Sequence, residues 1–106
     1  MISYDDFQKI ELRIGKILEV SVHPNADKLY LVKVDIGEKT VQLVAGIRQF
    51  YTEDELKGKL VAVLTNLEPR EIRGVASEGM LLAGKSDTAL SILTAEKDLP
   101  PGSIIK

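Results

Sequence analysis

The sequence predicts an all-β domain: a five-stranded barrel with short helices and a C-terminal extension. Three observations carry this. Apolar residues fall at every second position through Tyr30, Val32, Val34 and Ile36, and again through Val41, Leu43, Ala45 and Ile47. That is the period of strands with one buried face. The stretches between apolar runs carry turn chemistry, as in His23-Pro24-Asn25-Ala26-Asp27 and Gly37-Glu38-Lys39. Helical signals are brief and confined to Ser3 onward and Thr52 onward.

In chain order, Ser3 reads as an N-cap with Asp6 as the capping acid, which predicts a short helix from Tyr4 to about Ile10. Phe7 and Ile10 would share one side of it. Leu12-Arg13-Ile14 alternates like a strand, and Gly15 interrupts it before Ile17-Leu18-Glu19-Val20, which suggests a bulge or bend. Pro24 pushes His23 to extended geometry, and Asn25 and Asp27 favour a turn. The clearest strand is Leu29 to Gly37, with Lys33 and Asp35 on its wet face, and it forms a hairpin with the third strand.

Thr52-Glu53-Asp54-Glu55 fits a capping box, Leu56 would pack, and Gly58 ends the helix. Phe50-Tyr51 reads as an anchor for that helix, and Tyr30 as core. Lys59 to Leu67 is the fourth strand and Met80 to Ala83 the fifth. The tail alternates Leu90, Ile92 and Leu93, meets Pro100-Pro101-Gly102, and closes with Ile104-Ile105. Residues 1–106 read as a single domain, with 86–106 the extension.

Between strands four and five, Asn66 to Gly84 is longer than a plain connection of about four to six residues. Pro69 stiffens its start, Gly74 and Gly79 allow close backbone approach, and Arg70 and Arg73 can reach outward. It reads as a binding loop held between two core strands.

Composition excludes several classes. The absence of cysteine removes disulfides, thiolate metal sites and cysteine nucleophiles. No apolar run approaches the ~20 residues of a membrane span, and Asp5-Asp6 stand where a signal peptide would be basic. A cytoplasmic protein is expected. Net charge is −2 and the sequence pI about 5.4, which argues against a protein that coats nucleic acid indiscriminately. Residues 28–85 nevertheless carry nine basic and eight acidic side chains, a net +1. No Ser/His/Asp spacing, Gly-rich phosphate loop or His–carboxylate cluster points to catalysis, a metal or a cofactor. Acids such as Glu53-Asp54-Glu55 suit a helix N-terminus instead.

A bent first strand, five strands and a helix between strands three and four describe the oligonucleotide/oligosaccharide-binding fold, or OB-fold; an SH3-like small barrel is the structural alternative. OB-fold ligands meet the strand 2–3 face and the loops joining strands 1–2 and 4–5. His23 to Lys28 and Asn66 to Met80 fall at those two loops, and Lys33 projects from strand two.

The segment His23-Pro24-Asn25-Ala26-Asp27-Lys28-Leu29-Tyr30, the segment Val44-Ala45-Gly46-Ile47, and Asn66-Leu67-Glu68-Pro69-Arg70 with Arg73-Gly74 and Ser77-Glu78-Gly79-Met80-Leu81-Leu82 resemble the tRNA-binding domain family. The resemblance runs from Tyr4 to Ile105 and is nearest to the C-terminal domain or β subunit of methionyl-tRNA synthetase. It implies a non-catalytic module that binds tRNA by shape at its outer corner and raises the synthetase's affinity. It also implies a homodimer built from the chain ends and association with the methionyl-tRNA synthetase catalytic chain. Position by position, it implies nucleic-acid contacts at Asn25, Lys33, Ser77 and Met80. Lys28, Arg48, Arg70 and Arg73 complete the candidate site as phosphate contacts. Glu68 and Glu71 depart from the family, which often has lysine there, and lower local phosphate attraction.

Simpler readings stand beside these. His23 reads as a turn residue, Arg70 and Arg73 as surface charges paired with Glu71 or Glu78, Ser77 as a loop staple, and Met80 as core. The other functional reading is a dimeric protein-interaction or chaperone-like OB-fold module. The family's secretion chaperone lacks the His-Pro-Asn-Ala-Asp-Lys-Leu turn and the Ser-x-Gly-Met segment, both present here. Aromatic content of 5% favours backbone and shape readout over base stacking.

Overall fold

The computed structural model describes residues 1–106. The elements run α1 (Tyr4–Phe7), β1 (Leu12–Val22), β2 (Tyr30–Asp35), β3 (Thr40–Ala45), α2 (Glu53–Leu56) and β4 (Leu60–Leu64). They continue β5 (Arg70–Ile72), β6 (Val75–Ser77), β7 (Met80–Leu81), β8 (Ala83–Lys85) and β9 (Leu90–Ile92). One antiparallel sheet, ordered β3-β2-β1-β4-β7, curls into the barrel, and these are the five strands the pattern predicts. The pairs β5–β6 and β8–β9 are separate two-stranded additions.

The period-2 faces of β2 and β3 enter the core as predicted: Tyr30, Val32, Val34 and Ile36 pack with Val41, Leu43, Ala45 and Ile47. Truncating the fully buried Leu43 to alanine removes about 2–5 kcal/mol of stability. The capping box forms, with Thr52 Oγ1 accepting from the Glu55 N–H and the Glu55 carboxylate accepting from the Thr52 N–H. It starts the single turn that seats Leu56 in the core. Tyr51 packs there too, its hydroxyl accepting from the Ile92 N–H.

Three details differ from the sequence reading. Ser3 caps α1, but the helix ends at Phe7, not Ile10, because Asn66 draws the chain toward β1. Its side chain donates to the Lys9 carbonyl at 2.7 Å and accepts the Glu11 N–H at 2.8 Å. Gly15 stays in register with Val61; its missing Cβ leaves room for Val34, and the bulge comes later, between Ile17 and Glu19. The tail is woven into the barrel. Ile92 is core, the Ala62 N–H donates to the Leu93 carbonyl, and the Ile14 N–H donates to Ser103.

No strand ladder closes the barrel beside β3; side chains and one backbone bond do it. The Val44 N–H donates to Ser77 Oγ at 3.0 Å, and the Gln42 N–H donates to the Glu78 carboxylate at 3.0 Å. The Glu78 N–H returns a bond to the Gln42 carbonyl at 2.8 Å.

Candidate nucleic-acid interface

The stretch read as a binding loop between two core strands is a hairpin at its centre. Ile72 and Val75 are both apolar and pair across it, as do Glu71 with Ala76 and Arg70 with Ser77. That leaves Arg73-Gly74 as a two-residue turn, with φ of 52° and 86°. Positive φ at both positions belongs to the type I′ turn, which prefers Asn-Gly or Asp-Gly. Arg73 is the one non-glycine residue with positive φ in the chain. A side chain in that conformation costs about 1–2 kcal/mol, so an arginine there is a strained choice.

A buried histidine ties this hairpin to the β1–β2 loop. The sequence marks His23 as a turn residue, and the structure buries it to 3% exposure. Its Nε2 lies 2.9 Å from the Ile72 carbonyl, which can only accept, so Nε2 carries the proton and donates. Nδ1 then accepts the Asn25 N–H at 2.9 Å. Asn25 completes the clasp by donating from Nδ2 to the Arg73 carbonyl at 3.1 Å. The two loops that frame an OB-fold ligand are thereby one hydrogen-bonded unit. A lone histidine before a proline was the only sequence signal for it.

The candidate residues separate into groups. Asn25, Lys28 and Arg73 line one hollow of about 440 Å³ between the loops. Lys33 lines a second, about 320 Å³, on the β2–β3 face with Gln42, Ala76 and Glu78. Arg70, Ser77 and Met80 line a third, an apolar groove of about 390 Å³ beside the hairpin. Arg48 stands apart, half-buried beyond β3, and lines none of the three.

Ser77 faces inward. It is buried, and its hydroxyl accepts from Val44 while donating to the Gly79 carbonyl at 3.1 Å. Met80 does the reverse: 44% of it is exposed, although its backbone pairs with Leu64. The chain's two ion pairs, Lys9–Asp6 and Arg13–Glu11, both lie elsewhere. Lys28, Lys33, Arg48, Arg70 and Arg73 therefore have no carboxylate partner, and Glu78 is spent on the Gln42 N–H.

A curled barrel with clasped loops that carry unpaired cations defines a binding module of the OB-fold class. The chain belongs to the tRNA-binding domain family: the family model described as "Putative tRNA binding domain" matches residues 12–104. It is 48% identical over 105 residues to a methionine–tRNA ligase of Thermococcus kodakarensis, covering 99% of this chain and 14% of the relative. It is 45% identical over 106 residues to the Nanoarchaeum equitans methionine–tRNA ligase, covering 100% and 14%. The chain thus spans about one-seventh of the length of these relatives. Among solved structures, a MetRS related protein from Pyrococcus horikoshii superposes with a TM-score of 0.93 at 25% identity, over 100% of this chain and 98% of that one. A CsaA chaperone protein from Picrophilus torridus gives 0.92 at 33%, over 100% of both chains.

Proposed function

We propose that this chain is a non-catalytic, cytoplasmic tRNA-binding module that holds the folded outer corner of tRNA and raises the affinity of a methionyl-tRNA synthetase catalytic chain for it. The observation that carries this is Arg73. It is exposed, unpaired and held in a costly left-handed turn that is clasped to the loop bearing Asn25 and Lys28. The relatives named methionine–tRNA ligase supply the synthetase context. A clasped ridge bearing Lys28 and Arg73 suits the backbone of folded RNA, which is recognised by shape and phosphate position. Tethered to a synthetase, even weak binding becomes intramolecular and effective.

The test is a tRNA titration of the full chain at rising salt. With a few phosphates engaged per chain, log affinity against log salt should have a slope between about −2 and −4. A flat response would exclude phosphates as the partner.

Assembly follows from surface chemistry. Ile2, Tyr4, Leu93, Leu99 and Ile104, all near the chain ends, are 41–72% exposed. Such apolar surface suits a two-fold, self-complementary interface and hence a homodimer. Sedimentation giving a monomer at micromolar concentration would refute it. Likeness to the CsaA chaperone favours a second reading, a dimeric protein-interaction module. Binding of an unfolded client peptide without tRNA binding at low salt would select that reading.

A further inference from the structure

The groove beside the hairpin is not accounted for by phosphate contacts. It holds about 390 Å³, and apolar side chains dominate its lining, among them Val44 of β3, Ile47 just after it, Ile72 of the hairpin, and Met80, Leu82 and Leu90. Met80 and nearby Leu67 are 44% and 37% exposed, so apolar surface here remains open to solvent. Three charged residues also line it: Arg70, Lys85 and Glu68. None of the three is ion-paired.

We propose that this groove takes one unpaired nucleobase of the bound RNA, guanine in preference to uracil. The inference rests on the tRNA reading for its natural ligand and adds a base-reading subsite to it. An apolar interior is a poor phosphate site and a good one for a base face. Bases splayed out of folded RNA are held between apolar side chains and read through hydrogen bonds to their edges. The volume lies near the low end of small-ligand sites and is enough for one ring system.

The charges fit the same occupant. Arg70 and Lys85 suit the phosphates on either side of a flipped nucleotide. Glu68, ionised, can only accept hydrogen bonds. Guanine offers it adjacent N1–H and N2–H donors, whereas uracil flanks its one N–H with two carbonyls that a carboxylate repels. A carboxylate among RNA-binding cations weakens phosphate attraction, and base selection gives it a use.

The probe is amide NMR of the full chain titrated with GMP and with UMP. GMP should shift signals of residues 44–47, 67–72 and 80–85 and bind about tenfold more tightly than UMP, the worth of a hydrogen bond to a charged group. Glu68→Gln should narrow that difference. Ala83 is exposed and lines the groove, so Ala83→Phe should fill it without unfolding the chain and abolish the GMP response. The proposal is overturned if GMP shifts nothing there, if UMP binds as well, or if an apolar peptide occupies the groove and GMP does not. A parallel tRNA titration separates the two readings. If tRNA binds wild type and Ala83→Phe alike and GMP gives no groove response, the groove inference alone falls. If GMP occupies the groove but tRNA does not bind, the tRNA reading falls and a nucleotide site remains.

Discussion

Ser77→Ala is the sharpest test of how this site is built. The hydroxyl sits where β3 meets the returning chain, accepting from the Val44 N–H at 3.0 Å and donating to the Gly79 carbonyl at 3.1 Å. Alanine keeps the Cβ and removes both bonds, leaving a donor and an acceptor without partners in a buried setting. An orphaned buried polar group costs about 1–3 kcal/mol; with some relaxation of the edge, the pair should cost about 2 kcal/mol. In a domain of this size each kcal/mol moves Tm by about 4 °C, so Tm should fall by roughly 8 °C. Thermal melts give that number, and tRNA titration well below both melting temperatures gives the affinity. Affinity should change little, because the hydroxyl does not face ligand. An unchanged Tm with a tenfold loss of affinity would show that the hydroxyl turns outward to RNA, and the reasoning would be wrong.

Three further outcomes follow from the same geometry. Arg73→Gly relieves the left-handed strain, so stability should hold or rise by up to about 1 kcal/mol, while tRNA affinity falls about fivefold or more; a drop in Tm would mean that the guanidinium has a structural partner. His23→Ala orphans the Ile72 carbonyl and the Asn25 N–H, at about 1–3 kcal/mol, and leaves only the Asn25–Arg73 bond of the clasp. Amide exchange at Ile72 and Val75 should then accelerate, and unchanged exchange would dissolve the clasp argument. At low pH, the Arg13 hydrogen bond holds Glu11 below its ordinary 4.5, and the Thr52 backbone N–H does the same for Glu55. Their stabilisation is present above 4.5 and is lost as pH falls through the lowered folded values. Combining Glu11→Gln with Glu55→Gln should flatten the acid limb of a stability–pH profile; a limb as steep as wild type's would refute it.

What the sequence could show depended on how far each signal reached along the chain. The β2 and β3 faces were legible because Tyr30 to Ile36 and Val41 to Ile47 alternate over several residues, and burial enforces such a pattern. The capping box at Thr52 was legible because its two halves lie three residues apart. The β5–β6 hairpin was not, since three-residue strands give no period and its turn carries arginine where Asn or Asp would signal it. The clasp was hidden for another reason: His23 and Ile72 are 49 positions apart, and nothing local distinguishes a histidine that will be buried from one in a wet turn. Whether Ser77 and Met80 face ligand or interior stayed open because β6 is three residues long and β7 two, too short for alternation to say which side chain points in.

For an acidic chain, a proposed nucleic-acid surface is a question of where the acids go. Overall charge of −2 would oppose phosphate binding if the carboxylates sat on the cations. Three of them are placed otherwise. Glu78 caps the Gln42 N–H at the barrel seam, Glu55 caps α2, and Glu11 holds Arg13 at the β1 edge. Each of these three acids is committed to the fold, and Lys33, Arg70 and Arg73 face solvent in no ion pair, although Glu19 stands opposite Lys33 across the β1–β2 ladder. Glu68, Glu71 and Asp27 are not so committed: the first two are exposed beside the arginines, Asp27 lines the hollow of Lys28 and Arg73, and all three are unpaired. They lower the field at the hairpin and with it the affinity of the isolated module. A module that works by tethering tolerates that loss, because effective concentration supplies what contact energy does not.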